Sequence, residues 1–368
     1  ASRRRVAGQP AKQVRPPAAD DPDPPQRVPR RRGVFLMPVL SEAALRHLVA
    51  LRGADAPPVH VLDVGANPIE GDAPYKQLLE LGLCRVTGFE PQPKALAQLL
   101  ERKGPLEHYL PDALGDGDDA PFHVTHQGGF SSVFPADKRV ARLLGFARAM
   151  RPVETLTVPT RRLDSLDEVG PVDFLKIDVQ GSELAIIRNG AARLSSAVAV
   201  QTEVRLLPVY AGEPRFGALD DELSKQGFAF HDFVHLKRVN FAGPRSARLR
   251  RRSARQVVDG DAIYLRDLSR AELMSDDQLF RMAILAVGAF ESATAAVHCL
   301  DLLAEGGRVS AADAGALENL LPEGRALEIV TTTHQIVRNN IYGLIRVLGQ
   351  ETSGALSFSS EPVAPHAA

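Results

Sequence analysis

Apolar residues come in short runs along this chain, alternating with longer stretches in which they recur every three or four positions. VHVLDVG (59–65), CRVTGFE (84–90) and LEHYL (106–110) are buried strands, and VDFLKIDV (172–179) and AVAVQTEV (197–204) are two more. Between them, APYKQLLELG (73–82) and PKALAQLLERKG (93–104) have helical spacing and stop at glycine, and SEAALRHLVALRG (41–53) is a further helix behind a serine cap. Short apolar runs alternating with amphipathic helices predict an α/β fold, a mostly parallel sheet covered on both faces. After a helix at 215–226, FAFHDFVHL (228–236) and DGDAIYLRDL (259–268) are expected to pair antiparallel and close one edge.

The pattern fades at both ends. Residues 1–33 are rich in Arg and Pro with almost nothing to bury, the composition of a disordered tail. The α/β domain is expected over 34–268, a helical extension over 269–352 and a second disordered tail over 353–368. Within the extension, 275–307 reads as one long helix or two shorter ones, and 325–350 as another. Such helices either cover the sheet or pair with a second subunit in a homo-oligomer.

Charge narrows the partners. With 44 basic and 45 acidic residues the chain as a whole has no field for a polyanion, so no nucleic acid partner is expected. Two distant cysteines, Cys84 and Cys299, fit neither a zinc site nor a disulfide framework. No apolar window reaches the ~18 residues of a membrane span and no secretory block opens the chain, so a soluble, cytoplasmic protein is expected. The basic loop NFAGPRSARLRRRSARQ (240–256) reads as an exposed, solvated connection, with contact to an anion as its rival.

The chemistry sits at strand ends. In VLDVGANPIEG, Asp63 ends a strand and Gly65 opens a turn of small residues, which is how an open α/β sheet presents backbone to an adenosine-bearing ligand. The G-x-G-x-x-G spacing is missing, which demotes a nicotinamide cofactor. In GFEPQP, Glu90 ends the next strand, where a carboxylate can accept both hydroxyls of a ribose. Asp178 ends the strand VDFLKIDV before Gly181, a helix capped by Ser182 and an acid, Glu183, in its first turn.

Taken together, VLDVGAN, GFEPQP, ALGD (113–116), GGFSSVF (128–134), RRLDSL (161–166), VDFLKIDVQGSELAIIRNG (172–190), AVQTEVRLLPVYAGEPRF (199–216) and DAIYLRDL (261–268) resemble the FkbM-type family of S-adenosylmethionine-dependent methyltransferases. The resemblance covers about residues 59–268 and implies a class I methyltransferase (Rossmann-like) fold, seven strands with an antiparallel edge. It also implies methyl transfer to a hydroxyl of a sugar, glycan or other small metabolite. It assigns Asp63, Gly65 and Asn67 to the cofactor loop, Glu90 to the ribose, and Asp112 and Ala113 to the edge of the adenine. On this reading Asp178 is the base or the group that orients the acceptor hydroxyl, with Lys176 on the same side of its strand and Glu203 at the end of the next. Asp178, Glu203 and Glu183 facing one cleft also permit a divalent cation, a version less favoured because a hard ion needs more oxygen ligands. His126 with Ser131 and Ser132 marks a segment able to close over the cleft, and Tyr210 lines the acceptor side or packs. A non-catalytic, methyltransferase-like binding module is the alternative.

Overall fold

The structure, a computed structural model, describes residues 42–53, 55–66, 72–249 and 254–321. Both tails, the helix expected over 325–350, Asn67 and residues 250–253 lie outside the described residues.

In chain order the strands are β1 (Val59–Val64), β2 (Cys84–Phe89), β3 (Glu107–Leu110), β4 (Ala113–Leu114), β5 (Asp119–Thr125), β6 (Pro152–Arg161), β7 (Phe174–Ile177), β8 (Ala199–Arg205), β9 (Phe228–Val239) and β10 (Gln256–Arg266). The helices are α1 (Glu42–Arg52), α2 (Lys76–Glu80), α3 (Pro93–Arg102), α4 (Lys138–Leu143), α5 (Glu183–Arg188), α6 (Phe216–Lys225), α7 (Asp276–Gly288), α8 (Ala293–Glu305) and α9 (Ala311–Leu320). The main sheet runs β3-β2-β1-β7-β8-β10-β9. Its strands are parallel except β10, which pairs antiparallel with both β8 and β9. The expected mostly parallel, seven-stranded sheet is therefore present, with its antiparallel strand one place in from the edge.

Alternation along the strands sorts side chains into two cores. Val59, Val61, Val86, Phe174 and Ala199 face α1, α7, α8 and α9, while Leu62, Val64, Leu175, Ile177 and Val200 face α5 and α6. The stretch 275–307 is two helices, since the chain breaks at Glu291 with φ 53 between α7 and α8. α7 starts on a capping box formed by Ser275 and Gln278 and lies against the sheet, where Arg281 pairs with the buried Asp173. Among the described residues no helix is long and apolar enough to cross a membrane.

A small second sheet, β4-β6-β5, was not expected. Its strands are mostly exposed and carry Pro121, Pro152 and Pro159, so no apolar run announces them. α4 lies in the chain between β5 and β6, and its Ala141 packs together with Leu144 and Met150, which follow it, against Val239 of β9 and Val258 of β10.

Candidate active site

The order of the sheet reverses between β1 and β7, and the carboxyl ends of these two strands meet there. Reversal of this kind opens the crevice in which open α/β sheets bind ligands. Gly65, just past β1, has φ +80, and a Cβ on it would lie 2.1 Å from the carbonyl oxygen of Asp178. The turn after β1 therefore rests on the turn after β7, a contact that any side chain would wedge apart. Gly65→Ala is expected to destabilise the protein by at least about 2 kcal/mol, from the positive φ and the overlap together. Thermal melting measures this, and an unchanged midpoint would contradict the contact.

Register sets the next row of residues. Asp63 on β1 lies opposite Lys176 on β7, and Lys176 Nζ lies 3.0 Å from Asp63 Oδ1. The other carboxylate oxygen accepts the Tyr75 hydroxyl at 2.6 Å, so Asp63, 4% exposed, is held from two sides. Lys176 also reaches the Gly65 carbonyl at 3.4 Å, which links β7 to the glycine turn. Glu90, one residue past β2, is 2% exposed and its Oε1 accepts the Gln92 N–H at 2.8 Å. Burial raises its pKa above the ordinary value, against the opposing pull of that N–H.

Asp112 and Ala113 sit farther along the same rim. Asp112 accepts from Arg161 Nη1 at 3.3 Å, a guanidinium shared with Glu168, and Ala113 opens β4. Both positions are thereby fixed by β6.

The turn after β7 differs from the sequence reading in one respect. Ser182 occupies the N-cap of α5 but its side chain makes no capping bond. Glu183, the first residue of α5, instead satisfies the turn before the helix: its Oε1 accepts Val179 N–H at 3.0 Å and its Oε2 accepts Gly181 N–H at 2.9 Å. A carboxylate satisfies two backbone donors where a serine hydroxyl satisfies one. Asp178 is thus spared from capping its own turn, and its Oδ1 instead accepts Gln180 Nε2 at 3.1 Å.

Gln180 and Arg205 organise the site, and the sequence reading missed both. Gln180 has φ 61 and Gly181 φ 119, so two successive residues in the left-handed region swing the Gln180 amide back over the strand ends. From there Nε2 donates to Asp178 and, at 3.0 Å, to Glu203 Oε2, while Oε1 accepts Arg205 Nη2 at 2.8 Å. Arg205 follows Glu203 by two residues on β8 and so shares its face; Asp259 of β10 is its register partner. The guanidinium uses all five donors: both Glu203 oxygens at 3.0 and 2.8 Å, Asp259 at 2.9 Å, Glu213 at 3.2 Å, and Gln180. Glu213 in turn accepts the Val209 and Tyr210 N–H groups.

Glu203 thus has both oxygens on Arg205. Its pKa is nevertheless raised well above the glutamate range, chiefly by burial and further by Asp178, Glu183 and Asp259. Glu183 is raised for the same first reason. Tyr210, 2% exposed, packs in the small core under α4, donates to the Phe130 carbonyl at 3.1 Å and lies 3.3 Å from Gln180 Oε1. Ser132, fully buried, donates to the Gln180 carbonyl at 2.6 Å, and Ser131 accepts Thr125 N–H at 3.1 Å. The segment after the exposed His126, read as able to close over the cleft, is fastened through Ser132 to the turn after β7.

Carboxylate oxygens of Asp178, Glu183 and Glu203 lie within 4.8 Å of one another, so the expected convergence of three acids is present. They do not suit a hard divalent cation, because the oxygens of Glu183 and Glu203 already accept N–H groups and a guanidinium holds Glu203.

Residues 63–230 match the methyltransferase FkbM domain. A second match, to the HipA N-terminal domain, spans 302–359, of which residues 322–359 lie outside the described residues. The 2-O-methyltransferase NoeI of Sinorhizobium fredii (strain NBRC 101917 / NGR234) is 27% identical over 195 residues, which are 50% of this chain and 79% of NoeI. Solved structures with some likeness include magnesium protoporphyrin IX methyltransferase (ChlM) from Synechocystis PCC 6803 with bound SAM, at 14% identity, 62% of this chain, 78% of that chain and a TM-score of 0.28. Another is precorrin-6y C5,15-methyltransferase from Geobacter metallireducens GS-15, at 13% identity, 61% of this chain, 88% of that chain and a TM-score of 0.29. Scores this low carry no residue correspondence, and the class I methyltransferase fold is read from the strand order itself.

Proposed function

This chain belongs to the FkbM methyltransferase family, and from that premise we propose that it transfers a methyl group from S-adenosylmethionine to a hydroxyl of a small-molecule or glycan acceptor, with Asp178 as the base. The observation that carries this reading is the position of the Asp178 turn. It packs on Gly65 where the sheet order reverses, and Glu183 takes the turn's N–H groups, so the Asp178 carboxylate remains available. The name of NoeI, a 2-O-methyltransferase, supports oxygen as the accepting atom.

The residues present fit the donor. Glu90 is buried, and with Gln92 N–H on one oxygen its carboxylate keeps acceptor capacity for a pair of vicinal hydroxyls. Gly65 lets a ligand approach the backbone beside Asp63, and Asp112 and Ala113 bound the same rim. Bound S-adenosylmethionine supplies an electrophilic methyl group on a sulfonium.

Asp178 accepts the acceptor hydroxyl's proton as the oxygen attacks, a contribution of about 10² to 10⁴ in rate for a positioned base. Gln180 holds Asp178 in place and is itself held by Arg205 and Glu203. Glu203 is therefore a positioning residue, and Lys176 positions Asp63 and the glycine turn.

Glu90→Ala is expected to weaken S-adenosylhomocysteine binding by about 10- to 100-fold, the loss of charge-assisted hydrogen bonds to the ribose. Titration calorimetry measures this, and an unchanged affinity would remove Glu90 from the donor site.

A further inference from the structure

Two segments meet on the outside of α4. The Ala242 N–H donates to the Leu143 carbonyl at 2.6 Å, and Val239 and Val258, at the loop end of the β9–β10 hairpin, share one small core with Ala141, Leu144 and Met150. The first segment, 138–153, carries Lys138, Arg139, Arg142, Arg148 and Arg151; the second, 233–258, carries Lys237, Arg238, Arg245, Arg248 and Arg255 among its described residues. Neither segment contains an Asp or a Glu. The nearest acids along the chain are Asp137, which caps α4, Glu154, Asp232 and Asp259. Among the described residues, Lys237 is the one of these ten cations that forms an ion pair, with Asp259 at 3.0 Å. A chain whose charges nearly cancel as a whole thus concentrates positive charge in these two adjoining segments, most of it without an ion pair among the described residues.

Apolar side chains project from the same segments. Leu143 is 47% exposed, Phe241 48% and Leu249 59%. Solvated basic loops have no use for exposed leucines, and a phosphate backbone gives them nothing to pack on. At an anionic bilayer both features are used, because cations gain from the surface potential while leucine and phenylalanine enter the boundary between headgroups and acyl chains.

We infer that the face formed by α4, the segment after it and the described residues of the β9–β10 hairpin, up to Leu249 and from Ala254, docks on an anionic lipid surface. Lys237 connects this face through Asp259 to Arg205 and the acid cluster, so docking places the Glu203 side of the crevice next to the bilayer. The inference stands apart from the role given to Asp178, since it concerns where the protein sits.

The test is co-sedimentation of the full chain with vesicles of phosphatidylcholine alone and of equal parts phosphatidylcholine and phosphatidylglycerol. Binding to the mixed vesicles, weakened by salt and absent with phosphatidylcholine, is expected. Combining Arg142→Gln, Arg148→Gln, Arg245→Gln and Arg248→Gln, all exposed positions, should weaken it by about a hundredfold or more. Leu143→Ser with Leu249→Ser should weaken it as well while leaving the salt dependence in place. Wild-type affinity in the charge variant would overturn the inference and move binding elsewhere in the chain. Unaltered vesicle binding in the leucine variant, with displacement by duplex DNA, would overturn it in favour of a soluble polyanion.

Discussion

Asp178→Asn is expected to bind S-adenosylhomocysteine as the wild type does while methyl transfer to a panel of mono- and oligosaccharides falls by about 10² to 10⁴. The substitution preserves shape, and the asparagine carbonyl can still accept from Gln180 Nε2. The main-chain contact with Gly65 also remains, because it involves the residue 178 carbonyl and not the side chain. What disappears is the carboxylate that takes the hydroxyl proton. A rate loss with intact donor binding and an intact melting point separates this role from a structural one. Wild-type turnover in the variant would refute Asp178 as the base.

The second large effect concerns stability. Arg205→Met should cost about 3–5 kcal/mol, the range for removing one partner of a buried charged network. The methionine fills similar space but leaves Glu203, Glu213 and Asp259 without their shared cation, and all three are buried or nearly so. A fall of roughly 4–9 °C in the melting midpoint follows for a protein of this size. The fall should deepen as pH rises. Burial raises the pKa values of Glu183, Glu203 and Glu213 above 4.5, so the native state holds more protons than the unfolded chain, and its stability declines as pH rises through those values. Arg205 opposes each of these shifts, and its removal strengthens the trend. A melting point insensitive to the substitution would mean that the network is not a unit.

How much of this was legible in the sequence depended on burial. β1, β2, β7 and β8 are buried over most of their length and therefore appear as short runs rich in Val, Leu, Ile and Phe on both faces, which is why they and the parallel sheet could be read directly. β5 and β6 face solvent and contain prolines, so they left no such trace. The break between α7 and α8 was open because the apolar pattern continues through it, and the left-handed Glu291 that makes the break is a residue type with no turn preference.

The site divides in the same way. Asp63, Glu90, Asp178 and Glu203 announced themselves as acids ending apolar runs. Gln180 did not, because its part depends on a positive φ that a glutamine seldom adopts. Arg205 offered a faint signal, two residues beyond Glu203 and so on the same face of β8. Its match to Asp259, however, requires β10 to be inserted antiparallel beside β8, a long-range fact. Ser182 had the composition of a cap and does occupy the N-cap, but without a capping bond, while the buried Glu183 carboxylate binds the N–H groups of the preceding turn.

The central claim is that donor-binding and proton-accepting carboxylates are separate groups on one crevice where the sheet order reverses. Titration calorimetry of S-adenosylhomocysteine against wild type, Glu90→Ala and Asp178→Asn tests it most directly. The predicted result is a loss of affinity in the Glu90 variant and wild-type affinity in the Asp178 variant; equal binding by all three proteins would contradict it.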